Sequence, residues 1–310
     1  MKPFRKNVAI AIDGGGIRGV IVTKALSLLE ESLGKSVYEV ARLFAGTSTG
    51  SVISSGLAVG ENAAKIHQLY LDFGHSIFKK SWRTLFWPLT RYRYPHKPLK
   101  DALRMVLGKR VMSDYWMADP PIDVILTTYD LLANRPRFIK SWKREYEDWP
   151  VVKAVLASSS VPTYFPIVDG QYADGGLGLF ENPCYLAAYE ILFFLDWQLQ
   201  ETTLISLGTG RDPNIIQPGH PDRYQTWEWL EPLLDAILAS AADQQVHLVK
   251  TFFPMLDFRR FQVDLKETIK MDDPSAIPDL VKYGEEMGHM ILNDQYDRAQ
   301  YVEPPEIPQG

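Results

Sequence analysis

Two glycine-rich turns confine this chain more than any other feature: DGGGIRG at residues 13–19 and GTSTG at residues 46–50. Each follows an apolar run that reads as a strand, and each opens a run that reads as a helix. Small residues at these spacings let a strand turn sharply into a helix without side-chain clashes. The first turn lines up backbone N–H groups at a helix start, a natural seat for an anion. The second puts Ser48 at the apex of its turn, the geometry of a nucleophile elbow, with the N–H of Thr49 as an oxyanion donor. A nucleophile beside an anion cradle is what acyl transfer to serine requires.

Each turn also has a second reading. Ser48 fits a tight strand-to-helix turn closed by a capping serine. Gly14, Gly16 and Gly19 satisfy G-x-G-x-x-G, and Glu39 lies about 20 residues beyond the last of them, where a ribose-binding acid stands in dinucleotide folds. An NAD-type oxidoreductase is therefore the alternative from a different class. The turn is not a phosphate-binding P-loop, because Arg18-Gly19 stands where Lys-Ser/Thr is needed.

The rest of the chain continues the alternation. Residues 8–12 (VAIAI) form an unbroken apolar run, the pattern of a central strand buried on both faces. Further strands are predicted at residues 43–45, 122–129, 137–142, 203–207 and 260–265, with a short strand ending near Asp174. Helices are predicted at residues 17–33, 50–58, 151–160, 182–195, 227–250 and 277–292. The expected architecture is three-layer α/β/α around a central, mostly parallel sheet. We expect one domain over residues 1–301, carrying a basic and aromatic insertion at about 73–100, and a proline-rich tail at 302–310.

Composition limits the partners. A net charge of −5 argues against a nucleic-acid binder, and 46% hydrophobic residues over 310 positions suffice for a sizeable core. The single Cys184 excludes an intrachain disulfide, and no Cys/His cluster has zinc spacing. No cofactor is expected. Neither a secretory leader nor a transmembrane run is visible, so the expected location is cytoplasmic with peripheral membrane contact.

That contact falls on residues 73–100, which hold no acid but many cations and aromatics, among them Trp82, Trp87, Arg91 and Arg93. Cations draw a segment to anionic head groups, while Trp and Tyr settle at the polar–apolar boundary. The other reading is a subdomain that packs its aromatics inward.

The nucleophile needs a base. None of the six histidines occupies a recognisable post-strand turn. Asp174 does, in Tyr172-Ala173-Asp174-Gly175-Gly176, at a strand end just before a glycine pair. A carboxylate can act as base if burial raises its pKa toward the working pH. A turn-forming Asp before Gly is the alternative.

In this order, the segments resemble the patatin-like phospholipase family. DGGGIRG is similar to its oxyanion loop and GTSTG to its nucleophile elbow. The run from Ala157 to Phe165 resembles the family's Ala-Ser…Pro block, Asp174-Gly175-Gly176 its dyad segment, and LISLGTG at residues 204–210 the strand–turn that follows. The resemblance implies a Ser–Asp dyad acting on acyl esters of lipids, as hydrolase or acyltransferase. It makes Ser48 the nucleophile, Asp174 the general base, and Gly14, Gly15, Gly16 and Arg18 the oxyanion region. One departure stands out: GLGLFENP at residues 176–183 approaches Asn-Pro by a longer path than the family usually takes, which implies a different pocket wall there.

Overall fold

The computed structural model describes residues 1–86, 89–213 and 224–297. In chain order the first half holds β1 (Asn7–Ile12), α1 (Gly19–Leu33), α2 (Val37–Val40), β2 (Leu43–Gly46), α3 (Thr49–Ala58), α4 (Ala63–Ile77), α5 (Trp82–Leu85), α6 (His96–Leu107) and α7 (Ser113–Trp116). The second half holds β3 (Asp123–Asp130), β4 (Arg135–Lys140), α8 (Val151–Ser158), β5 (Tyr172–Asp174), α9 (Cys184–Phe193), β6 (Thr202–Leu207), α10 (Leu230–Phe252), β7 (Asp257–Phe261) and α11 (Ile277–Leu292).

The strands make one seven-stranded sheet in the order β4-β3-β2-β1-β6-β7, with β5 added against β3. β3, β2, β1, β6 and β7 run parallel, and β4 and β5 run antiparallel to β3. Alternation along β1 explains the layers. Val8, Ile10 and Ile12 face a large core formed with α1, α3, α4, α6, α8 and α11, while Ala9 and Ala11 face a smaller core with α9 and α10. Successive strand side chains point to opposite faces, so a strand apolar at every position must be covered on both. The alanines leave room for Cys184, Ala187 and Ala188 of α9 to approach the sheet closely.

Several boundaries differ from the sequence reading. The final strand lies at Asp257–Phe261 rather than residues 260–265, because its charged residues are internally paired: Arg259 meets Asp257 at 2.7 Å and Arg260 meets Asp13 at 2.6 Å. The segment 73–100 begins inside α4 and ends inside α6, two helices that the charge pattern concealed. The expected tail at residues 302–310 lies outside the described residues.

Arg260 ties the sheet to the first glycine turn. Its Nη1 and Nη2 donate to Asp13 Oδ1 and Oδ2 at 2.8 and 2.6 Å, and Nη1 also donates to Ser206 Oγ at 2.9 Å. Both charged side chains are almost wholly buried, at 2% and 4% exposure. Removing one partner of such a pair strands the other charge and costs about 3–5 kcal/mol. Arg260→Met should therefore lower the unfolding free energy in urea by about that amount; a loss below about 1 kcal/mol would mean that the pair does not anchor the turn.

Candidate active site

Ser48 follows β2 and immediately precedes α3, with φ 53° and ψ −121°, a strained backbone for a residue other than glycine. The strain is held from both sides. The Ser48 N–H donates to Ser158 Oγ at 3.1 Å, and the Ser48 carbonyl accepts from Ser51 Oγ at 2.6 Å. Gly50 allows β1 to pass closely, since a Cβ there would collide with the carbonyl of Ile12. This is the elbow that GTSTG predicts.

Asp174 reaches Ser48 through strand register. β2 ends with Gly46 opposite Leu126 of β3, and β5 takes over the same side of β3 with Asp174 opposite Thr128. The end of β5 therefore meets the turn that follows β2. Asp174 Oδ1 accepts the Gly176 N–H at 2.8 Å, and the Asp174 N–H donates to the Ser160 carbonyl at 3.0 Å. Oδ2 is buried without a partner, and the Ser48 hydroxyl lies close enough to favour the ionised carboxylate. Burial dominates and pushes the Asp174 pKa up to about 7, against the opposing effects of the Gly176 N–H and Ser48.

The first glycine turn bends through Gly15 at φ 145° and Gly16 at φ 57°. Its N–H groups divide into two sets. Gly14 donates to the Glu181 carbonyl at 3.0 Å, Ile17 to the Met271 carbonyl at 2.8 Å, and Arg18 to the Gly15 carbonyl at 3.1 Å. Among the described residues, the N–H groups of Gly15, Gly16 and Thr49 have no acceptor. Gly14 and Arg18, read from the sequence as part of the oxyanion region, thus hold the turn in place and offer no free N–H to it. The Arg18 guanidinium donates to Asp212 Oδ2 at 2.6 Å, and Thr209 Oγ1 donates to the Gly14 carbonyl at 2.5 Å, which gives LGTG its purpose.

The dinucleotide reading gains no support from these contacts: the Met271 carbonyl already takes the Ile17 N–H at the start of the helix and packs where a Cβ on Gly16 would lie. Among the described residues, no cluster of His, Cys, Asp and Glu could hold a metal ion.

Two cavities meet at Ser48. The larger has an empty volume of about 930 Å³, counting its open mouth, and runs between α3, α4 and α6. Gly16, Ser48 and Thr49 stand at its head, and Val52, Ile66, Leu69, Phe73, Leu103 and Val106 are among the apolar groups along its wall. The smaller is bordered by Gly15, Ser48, Asp174, Glu181, Leu234 and Leu238. Glu181 and Met271 were missed in the sequence reading. The only signal for Glu181 was the longer approach to Asn-Pro, and Met271 had none.

The basic and aromatic segment is packed inward in part and exposed in part. Tyr94 is buried against Phe78 and Phe165, with ring centroids 5.4 and 6.0 Å away. Arg93, read as a membrane contact, is also buried: it pairs with Asp272 at 3.5 Å and lies 4.6 Å over the Tyr164 ring. A guanidinium needs such partners when it is taken out of water. Trp82 is 61% exposed, with Leu85, Phe86 and Leu89 exposed beside it. Arg91 is exposed, and Trp87 lies outside the described residues.

Comparison with known proteins agrees with this geometry. The family model "Patatin-like phospholipase" matches residues 10–188, which include both glycine turns, Ser48 and Asp174. A cGAMP-activated phospholipase of Vibrio cholerae is 26% identical, over 77% of this chain and 74% of that protein. A cGAMP-activated phospholipase of Escherichia coli is 25% identical, over 67% of this chain and 64% of the relative, so the chain spans a little under two thirds of that protein's length. The calcium-independent phospholipase A2-gamma of Rattus norvegicus is 27% identical, over 85% of this chain and 36% of the longer relative. With more than half of its length, including both glycine turns, Ser48 and Asp174, matched by the family model, the chain belongs to the patatin-like phospholipase family.

Proposed function

We propose that this protein hydrolyses fatty acyl esters of lipids through a Ser48–Asp174 dyad. The observation that carries the reading is the buried, unpartnered Asp174 Oδ2 beside the strained Ser48 at the head of an apolar cavity. Ser48 Oγ attacks the ester carbonyl carbon as its proton passes to Asp174. The negative charge that develops on the carbonyl oxygen is received by the N–H groups of Gly15, Gly16 and Thr49. The tetrahedral adduct collapses, breaking the ester bond, and the leaving alcohol takes the proton from Asp174. A water then gives its proton to Asp174 and attacks the acyl-Ser48 carbonyl. Collapse of this second adduct returns the proton to Ser48 and frees the fatty acid. The acyl chain occupies the larger cavity, whose long apolar wall suits it, and the alcohol leaves by way of the smaller one.

The reading extends to a cytoplasmic protein that binds membranes transiently. Trp82, Leu85, Phe86 and Leu89 are exposed together, with the exposed cations Lys79, Lys80 and Arg91 around them. They lie on the connection between α4 and α6, both of which wall the larger cavity, so docking there would bring the lipid to its side. Among the described residues, no helix is long and apolar enough to cross a membrane.

Four outcomes are expected. Ser48→Ala and Asp174→Asn each reduce ester turnover to background while the fold is retained, checked by circular dichroism; full turnover in either would remove the dyad. Because Asp174 must be ionised to act as base, wild-type turnover falls as pH drops through about 7. The same shift has a stability consequence. The raised pKa contributes stability that is fully present below the ordinary value of 3.8 and is lost as pH rises toward about 7. Asp174→Asn should therefore match wild type in melting temperature near pH 4 and exceed it at pH 8; equal melting at both would contradict a buried, strained carboxylate. Lastly, Trp82→Ser with Phe86→Ser should lower turnover on anionic phospholipid vesicles far more than turnover of a soluble short-chain ester, and equal losses on both would exclude a docking role.

A further inference from the structure

Glu181 closes the GLGLFE run that leads from the Asp174 turn to Asn182-Pro183, and its surroundings give it a physical purpose. Its backbone carbonyl accepts the Gly14 N–H at 3.0 Å, which fixes the first glycine turn. Its carboxyl then turns back into the space above two glycines, one from each motif. A Cβ on Gly14 would collide with Glu181 Oε1, and a Cβ on Gly176 would lie 2.6 Å from Glu181 Oε2 and 3.3 Å from Asp174 Oδ1. The Glu181 and Asp174 carboxyls therefore flank the same point over Gly176. Both border the smaller cavity, with Ser48 and Gly15.

We propose that Glu181 is a positioning residue for acyl transfer: its carboxyl is the spacer that sets the oxyanion turn against the Asp174 turn. The inference rests on reading Ser48 and Asp174 as the dyad. The charged groups around Glu181 favour the neutral form. Asp174 faces it from the end of β5, Asp13 from the end of β1 and Asp235 from α10; against these three acids stands Arg18, whose guanidinium is already engaged by Asp212. Burial and the neighbouring acids together raise the Glu181 pKa well above the usual carboxylate range. A neutral Glu181 lets Asp174 ionise without a second negative charge beside it. It also leaves the N–H groups of Gly15 and Gly16 free to serve the oxyanion. Once Glu181 loses its proton, its charge opposes both, and turnover falls.

The test is the pH dependence of kcat and KM on a soluble short-chain ester, with the full chain and with Ser48→Ala as the blank. Wild type should give a bell-shaped kcat profile, its acid limb belonging to Asp174 and its alkaline limb to Glu181. Glu181→Gln, an uncharged isostere, should keep the acid limb and lose the alkaline one. Glu181→Ala removes the spacer and should lower kcat about tenfold or more relative to Glu181→Gln, less than the 10²–10³ lost with an oxyanion donor, with a smaller change in KM. The proposal is overturned if wild type has no alkaline limb, or if the alkaline limb survives in Glu181→Gln. An acid limb displaced to lower pH in Glu181→Gln would overturn it too, since Glu181 would then be charged in the resting enzyme. Should Glu181→Ala fold poorly, the Glu181→Gln profile decides alone. Turnover in Ser48→Ala above the no-enzyme rate would instead sink the dyad reading itself, whatever the Glu181 variants do.

Discussion

The site depends on the way two strands share one side of β3. β2 pairs with the first half of β3 and stops at Gly46; β5 pairs with the second half and stops at Asp174. Ser48 and Asp174 lie far apart in the chain and meet only because those two strand ends face each other along a common neighbour. The antiparallel direction of β5 is essential, since it brings the chain in from Tyr172 so that Asp174, rather than the start of the strand, arrives at the elbow. The remaining contacts, from Ser158 under the elbow to Thr209 and Arg260 under the first glycine turn, hold this meeting point rigid.

Rigidity has an electrostatic consequence. The centre of the site collects carboxyl groups, Asp174 and Glu181 in the smaller cavity and Asp13 just below, and water cannot solvate them freely. Only Asp13 receives a bidentate guanidinium. Burial raises the pKa of all three, that of Asp13 despite its guanidinium, and in the proposed dyad stability is exchanged for a base that titrates near neutral pH. A His-based triad avoids that cost by using an imidazole that already titrates in this range. Here an aspartate is brought to the same range by burial.

Much of this was legible in the sequence. The two turns, the alternation of strands with helices, and the strand-end position of Asp174 all follow from residue types with narrow local meanings: glycine for sharp turns and unbroken apolar runs for doubly covered strands. What could not be read depends on contacts between distant segments. Gly14 and Arg18 share a motif with Gly15 and Gly16, yet the Gly14 N–H is taken by the Glu181 carbonyl on a distant loop and the Arg18 N–H by the Gly15 carbonyl within the turn. Arg93 looked like its neighbour Arg91 until the fold placed Asp272 and Tyr164 around it. The strand β7 was displaced in the reading because Asp257, Arg259 and Arg260 conceal a buried strand behind charges that cancel internally. Glu181 left a trace only as an irregular spacing.

The central claim is that Ser48 carries the acyl group and that Asp174 activates it. Covalent trapping tests this most directly. The protein is mixed with a slowly hydrolysed activated ester, quenched at intervals over a range of pH, and the modified residue is located by peptide mass spectrometry. The account predicts one acyl group, on Ser48, formed at a rate that rises through pH about 7 and is lost in Asp174→Asn. Acylation at another residue, or acylation of Ser48 at the wild-type rate in Asp174→Asn, would contradict it.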